Sequence, residues 1–270
     1  MLIMDQYSLL NKTALVTGSC GLLGREHCKA LSEAGATVVV TDIDQALCEE
    51  VAAELHGQAT AIAMDVSNEL SIKGVMRIIA SEYGHIDILV NNAALNEKVE
   101  SLNNSSVPFA FEDYSLEKWD EQLKVNITGV FLCCRIIGGK MAEQGNGSII
   151  NIASTYALQA PDQSLYFDDT GCRRFIKSPA YPVTKAAVLS LTRYLAAYWG
   201  RSGVRVNALT PGGVQNSQED WFIRNYNQRT PLGRMALPSD YRGALVFMAS
   251  DASGYMTGAN LVVDGGWTIW

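Results

Sequence analysis

Ala14-Leu15-Val16-Thr17-Gly18-Ser19-Cys20-Gly21-Leu22-Leu23-Gly24 is the stretch on which the fold turns. A short apolar run, Ala14–Thr17, reads as a strand buried on both faces. It enters a turn with glycines at 18, 21 and 24, and the pattern from Leu22 to Ala34 is that of an amphipathic helix. Glycine at these places permits a tight turn, close approach of backbone to a pyrophosphate, and close packing of helix on strand. The helix N-terminus adds free N–H groups and a dipole that favours phosphate. Three glycines alone are a weak signal; strand before and helix after make it a strong one.

The same alternation continues outward. Strands are expected at Thr37–Thr41, Thr60–Ala63, Ile88–Asn91, Ser148–Ile152, Val204–Ala208 and Asn260–Val263. Helices are expected at Gln45–Leu55, Glu69–Tyr83, Leu116–Met141, Ala180–Gly200 and Ser239–Ala249. Strand–helix alternation of this kind builds βαβ units and a doubly wound sheet, an α/β fold. No repeat or linker divides residues 1–270, so one domain is expected, with irregular excursions at 95–114 and 155–179. Long loops in a compact domain are usually functional.

Composition narrows the function classes. The net charge of −7 is spread along the chain, which argues against a nucleic-acid partner. No run of about 18 apolar residues appears, so no membrane span is expected. The first eleven residues lack the features of a secretory signal. Cysteines 20, 28, 48, 133, 134 and 172 form no CxxC pair and sit mostly in apolar stretches. They read as core residues in a reducing, cytoplasmic setting, with no metal site.

Strand ends carry the polar residues. Asp42 closes the second strand, 18 residues after Gly24, where a carboxylate can hold adenosine ribose hydroxyls and repel a 2′-phosphate. The plain alternative is a solvated loop acid or helix cap. No Arg or Lys lies in the glycine turn or directly after Asp42; Arg25 is the one cation able to weaken the resulting preference for NAD over NADP. Asp65 and Val66 close the third strand, either holding and packing an adenine or, for Asp65, capping the next helix. Asn91-Asn92-Ala93-Ala94 closes the fourth with small residues that let the chain pass close to a cofactor.

Together these segments resemble the short-chain dehydrogenase/reductase family, in its subclass with a YxxxK active site. The resemblance covers nearly the whole chain. Asn91–Ala94 matches an NNAG-type motif, Asn126 a helical Asn, Ser154 the Ser after the fifth strand, and Tyr181-Pro182-Val183-Thr184-Lys185 the YxxxK. Pro211-Gly212 and Asp264-Gly265-Gly266 follow in order. The family's fold implies a seven-stranded, mostly parallel sheet in the order 3-2-1-4-5-6-7, with helices on both faces. The resemblance implies Asn126, Ser154, Tyr181 and Lys185 as catalytic residues. It implies a cofactor site of Gly18, Cys20, Gly21, Leu22, Leu23, Gly24, Asp42, Ile43, Asp65, Val66, Asn92, Ala93, Ala94, Tyr181, Lys185, Pro211, Gly212 and Val214. A more distant likeness is to members that build surface sugars such as flagellin glycans.

The chemistry suits these residue types. Oxidising a carbinol needs a base on its hydroxyl, and a free Tyr titrates near 10, roughly three units too high for neutral pH. Lys185 lies one helical turn from Tyr181 and favours the phenolate. Ser154 would hydrogen-bond the substrate oxygen, and Asn126 would complete a water-mediated proton path to Lys185. Tyr114-Ser115-Leu116-Glu117-Lys118 also reads YxxxK, but it follows no strand carrying Ser and reads as a polar helix entry.

Departures from the family pattern concern the ends of the site. The glycines follow TGxxGxxG, the spacing of the sugar-nucleotide-modifying branch. That keeps open an epimerase or dehydratase that retains its NAD; a non-catalytic NAD-binding protein is the other alternative. Ser154 and Tyr181 are 27 residues apart, about twice the family spacing. The added segment brings Arg173, Arg174 and Lys177, which either meet an anionic substrate group or form a solvated loop. Residues 211–235 correspond to the family's substrate loop, with Trp221, Phe222 and Tyr226 as its apolar side. The other excursion is polar (Asn96, Glu97, Ser101, Asn103, Asn104, Ser105, Ser106). A small-molecule substrate of sugar or polyol type is therefore expected. The resemblance also implies a homotetramer, with a dimer as alternative, packed through Leu116–Met141 and Ala180–Gly200. The tail Trp267-Thr268-Ile269-Trp270 is expected to be buried in that assembly or folded back on its own subunit.

Overall fold

A computed structural model describes residues 2–97 and 111–270. Seven strands form one sheet: β1 (Thr13–Thr17), β2 (Thr37–Asp42), β3 (Ala59–Ala63), β4 (Ile88–Asn91), β5 (Gly147–Ile152), β6 (Val204–Pro211) and β7 (Asn260–Val263). Their order is β3-β2-β1-β4-β5-β6-β7, and every pairing is parallel. From β1 the chain winds outward through β2 and β3, then returns to β4 on β1's other side. The crevice at the carboxyl ends of β1 and β4 is thus the topological switch point, where ligands of open α/β sheets bind.

Seven helices cover the sheet: α1 (Leu22–Glu33), α2 (Gln45–Ala53), α3 (Glu69–Glu82), α4 (Leu116–Gln144), α5 (Ala180–Trp199), α6 (Asp220–Arg229) and α7 (Arg242–Ala249). Side chains alternate across a strand, so the inner strands feed two cores. Leu15, Val39, Leu89, Ile149 and Val206 face α3, α4 and α5, meeting Ile72, Ile79, Ile137, Val188 and Trp199. Ala14, Val16, Val38, Val40, Val90 and Ile150 face α1, α2 and α7, meeting Leu31, Val51, Leu245 and Met248. This double burial explains the unbroken apolar strands.

Helix starts follow local chemistry. Asp44 caps α2 by accepting from the amides of Ala46 and Leu47 (2.9 and 3.2 Å), and Asn68 caps α3 through Leu70 and Ser71. Helix α4 is long and apolar enough to cross a membrane by length and composition. Its apolar face, with Val130, Cys133, Ile137 and Met141, is instead spent on the first core. It widens into π-helical turns at Lys124–Gly129 and Cys134–Gly138, and the first carries Asn126. Single π-turns inside α-helices recur at functional sites.

One expectation needs correction. Residues 220–229, read as part of a loop, form α6, a polar helix that buries only Phe222 and Tyr226. One apolar turn among polar neighbours is too short a pattern to register as a helix. Of the 95–114 excursion, residues 98–110, including Ser101, Asn103, Asn104, Ser105 and Ser106, lie outside the described residues. The 155–179 segment is ordered by its own turns, at Thr155–Ala157 and Gln163–Tyr166, and by a bridge from Phe167 to Arg173. It packs on α6 through a third apolar cluster of Leu165, Tyr166, Phe175, Phe222, Tyr226, Met235 and Trp267.

Candidate active site

The glycine turn is fixed by β4. Thr17 Oγ1 accepts from the amides of Asn92 and Ala93, each at 3.0 Å. Asn92 Nδ2 returns hydrogen bonds to the carbonyls of Thr17 (3.0 Å) and Gly18 (2.8 Å). Gly18 has φ +64°, and a Cβ there would lie 2.7 Å from Ala93 Cα. A Cβ on Gly24 would run into the Gly18 carbonyl and the Ser19 backbone. Both glycines are therefore required by geometry. Gly21 is the N-cap of the 12-residue α1, whose first turn opens onto a cleft of about 500 Å³.

That cleft gathers Gly18, Gly21, Leu22, Leu23, Gly24, Asp42, Ile43, Asp65, Val66, Asn92, Ala93, Ala94, Tyr181, Lys185, Pro211, Gly212 and Val214, together with Ser154 and Lys177. Cys20 is not in its lining. Its amide instead donates to Asp42 Oδ2 (3.1 Å), while Asp42 Oδ1 accepts from the amide of Ile43 (2.8 Å). The carboxylate is thus held at the turn. Arg25 pairs with Glu54 (3.1 Å) and Glu50 (3.8 Å) on the α2 side, and its Nε donates to the Cys20 carbonyl (3.4 Å). Asp65 is not a helix cap, because Asn68 caps α3; Asp65 Oδ1 accepts from Ser67 N and Oγ. A bare turn that a Cβ would obstruct, a helix N-terminus and a fixed carboxylate fit a nicotinamide dinucleotide.

At the other end, Ser154 follows β5 and Tyr181 and Lys185 share one face of α5. Ser154 and Tyr181 both line the cleft. Burial pushes the Tyr181 phenol above its ordinary value, and the neighbouring Ser154 hydroxyl works against that rise. Lys185 Nζ donates to the Ile152 carbonyl (2.6 Å), and burial pulls its ammonium down to about 8. Its Nζ lies 5.7 Å from the Tyr181 ring centre. Asn126 is fully buried and does not line the cleft. Its carboxamide clamps Leu95, accepting from the amide (2.7 Å) and donating to the carbonyl (2.9 Å), with a further bond to Thr184 Oγ1 (3.2 Å). The side chain therefore braces the β4 exit against α5.

The proposed substrate residues separate. Lys177 lines the cleft, but Arg173 and Arg174 do not. Arg173 lies over the Phe167 ring (4.9 Å), and Arg174 pairs with Asp168 (3.7 Å) on the outer side of the 155–179 segment. Trp221 also stays out, packed edge-on against Phe222, whereas Phe222 and Tyr226, one helical turn apart, do line the cleft. Tyr156 and Tyr166 complete that wall with hydroxyls 3.0 Å apart. These two were missed because their position depends on how the added segment folds. Tyr114 of the second YxxxK is outside the cleft, its hydroxyl accepting from Gln122 Nε2 (3.0 Å). The tail folds back on its own subunit: Trp267 stacks on Tyr226 (4.2 Å) and Trp270 Nε1 donates to the Arg229 carbonyl.

Residues 21–268 match a family model described as enoyl-(acyl carrier protein) reductase. A D-threitol dehydrogenase of Mycolicibacterium smegmatis is 35% identical over 97% of this chain and 95% of its own. A 3-alpha-(or 20-beta)-hydroxysteroid dehydrogenase of Mycobacterium bovis is 37% identical over 96% and 90%. Among solved structures, a gluconate 5-dehydrogenase of Burkholderia cenocepacia in complex with NADP and tartrate superposes with a TM-score of 0.84, at 28% identity over the whole of both chains. The fold, the site and these matches define one class: the chain belongs to the short-chain dehydrogenase/reductase family. Within that class it is an oxidoreductase that interconverts an alcohol and a ketone with a nicotinamide dinucleotide.

Proposed function

We propose that the protein oxidises a secondary alcohol of a polyhydroxylated, sugar-like substrate, or reduces the corresponding ketone, with NAD(H) as its cofactor. The observation that carries this reading is the presence of Ser154, Tyr181 and Lys185 in one cleft with the glycine turn. Two hydroxyls and an ammonium in one cleft suit the oxygen of a carbinol or ketone. Tyr181 takes the carbinol proton, Ser154 orients the oxygen, and Lys185 supplies the nearby positive charge that favours the phenolate. A nicotinamide dinucleotide bound at the glycine turn would supply the hydride acceptor or donor.

The carboxylate of Asp42, anchored by the amides of Cys20 and Ile43, supports NAD. So does the pairing of Arg25 with Glu50 and Glu54, whose carboxylates compete for its charge. Asn96, Glu97, Asn216, Gln218 and Lys177 in the lining support a hydroxyl-rich substrate. The relatives named for threitol and gluconate point the same way. In this reading the enzyme is a cytoplasmic homotetramer joined through α4 and α5, where Phe131, Tyr194 and Tyr198 are exposed.

The test is initial rates on threitol, gluconate and a hydroxysteroid with NAD and NADP, for the native chain and Asp42→Ala. NADH released in step with polyol oxidation, and a preference for NAD that falls at least tenfold in the variant, is the expected result. A dominant preference for NADP refutes the cofactor assignment. Turnover without NADH release supports the cofactor-retaining alternative, and turnover of the steroid alone refutes the substrate class.

A further inference from the structure

One short turn brings two residues to the reaction cleft. Ser154 caps the turn Thr155–Ala157 by accepting from the Tyr156 amide (3.2 Å), and both residues line the cleft. The Tyr156 ring also borders the corner that holds Tyr181. Lys177 Nζ lies 5.9 Å from the centre of the first ring and 4.9 Å from that of the second. The Tyr156 hydroxyl is 3.0 Å from that of Tyr166, which is itself fixed, stacked on Phe222 (5.6 Å) and edge-on to Phe175 (5.1 Å). Burial above all, then Tyr166 and Tyr181 nearby, hold the Tyr156 phenol well above its ordinary value. It therefore stays protonated and is not a second base beside Tyr181. Elsewhere on this wall Phe222 offers no polar atom, and the Tyr226 hydroxyl is engaged by the Gly213 amide (2.5 Å).

We infer that the Tyr156 hydroxyl, held by Tyr166, binds a substrate hydroxyl on the carbon next to the one that is oxidised, so that the cleft selects vicinal diols over isolated secondary alcohols. The proposal rests on the oxidoreductase reading of the cleft and deepens it, from polyols in general to a defined placement of two hydroxyls. A phenol hydroxyl has one donor and two acceptor positions, and the bond to Tyr166 uses one of them. If Tyr156 accepts that bond, it keeps its own hydrogen to donate. If it donates, its oxygen still accepts. A substrate hydroxyl, which can give or take, fits either arrangement; a carboxylate only accepts and a methylene does neither. Ser154 takes the reacting oxygen, and Tyr156, two residues on and tied to it through the turn, takes the neighbour. Phe222 and Tyr226 supply the apolar surface for the carbon skeleton. A site built to hydrogen-bond a hydroxyl discriminates against the analogue that lacks it.

The measurement is binding of cis- and trans-1,2-cyclohexanediol, each against cyclohexanol, to the chain saturated with NADH, followed by nicotinamide fluorescence. Each diol differs from cyclohexanol by one hydroxyl. An alcohol gives no hydride to the reduced cofactor, so binding is read without turnover. The native chain is expected to bind at least one of the diols about fivefold or more tightly than cyclohexanol. Tyr156→Phe keeps the ring and removes the hydroxyl, and should bring that diol to within about twofold of cyclohexanol. Saturation of the variant with NADH reports that it is folded. Equal binding of diol and cyclohexanol by the native chain, or an unchanged preference in Tyr156→Phe, overturns the subsite. So does weakening of diol and cyclohexanol alike in the variant, or tighter native binding of 1,3-cyclohexanediol than of either 1,2-diol. Failure of the oxidoreductase reading shows separately, as no hydride transfer from any alcohol to NAD or NADP.

Discussion

Replacing Lys185 with Met should abolish turnover and make the protein more stable. Lys185 is 3% exposed, and burial lowers its ammonium from 10.5 to about 8. Carrying a charge into that site at neutral pH therefore costs the folded state about 3 kcal/mol. Methionine fills nearly the same volume without charge. It gives up the hydrogen bond to the Ile152 carbonyl, a loss of about 1 kcal/mol. The net gain is about 2 kcal/mol, or roughly 4 °C in the melting midpoint for a chain of this length. The sign follows from linkage. Below pH 8 the lysine is charged in both states and the cost is full. Between pH 8 and 10.5 only the unfolded chain holds the proton, so the cost shrinks as pH rises. Urea unfolding of both proteins at pH 7 and pH 9.5 should show a gap of about 2 kcal/mol that nearly closes at the higher pH. Other titrating groups are common to both chains and cancel. A variant less stable than the native chain at pH 7, or a gap that does not change with pH, would refute the reasoning.

Tyr181→Phe should lower kcat by about 10²- to 10⁴-fold while NADH binding, followed by fluorescence, stays within twofold; a variant with native kcat removes the proposed base. Gly18→Ala forces a Cβ to within 2.7 Å of Ala93 Cα at φ +64°. It should weaken NADH binding at least tenfold, and an unchanged affinity would show that this turn does not hold the dinucleotide. His27 is buried with neither ring nitrogen hydrogen-bonded among the described residues, and burial lowers it from 6.5 to about 4. Its folded state resists protonation, so stability should fall by about 3 kcal/mol as pH drops from 6.5 through 4. His27→Leu should flatten that part of the stability–pH curve, and an equally steep curve in the variant rules His27 out as the cause.

The sequence exposes whatever is encoded locally. The glycine turn, the buried strands and the i, i+4 spacing of Tyr181 and Lys185 need only neighbours in the chain, and all are legible. Sheet order is not local, yet strand–helix alternation and handed crossovers leave few arrangements. What escaped depends on long-range packing. Helix α6 is stabilised by Tyr166 and Trp267, which lie far away in sequence, and its own pattern is one apolar turn. Arg173 and Arg174 could not be told from Lys177 by spacing, because the Phe167–Arg173 bridge decides which of the three turns inward. Asn126 was placed on the right helix. That its amide is spent on Leu95 and Thr184 could be known only once β4 and α5 were set beside it. Cys20 was assigned to the cofactor site itself, whereas its backbone amide holds Asp42.

The third apolar cluster is separate from the two that sandwich the sheet. It draws on the added segment, on α6, on Met235 and on Trp267, and, among the described residues, on no strand of the sheet. The aromatic wall of the cleft and the architecture of the sheet therefore occupy different parts of the molecule. A lineage can rebuild that wall, by lengthening one loop or altering one aromatic, without disturbing the scaffold that folds. For the engineer the same partition marks a cassette, residues 155–179 with α6, to be grafted as a unit; the rest of the chain is chassis.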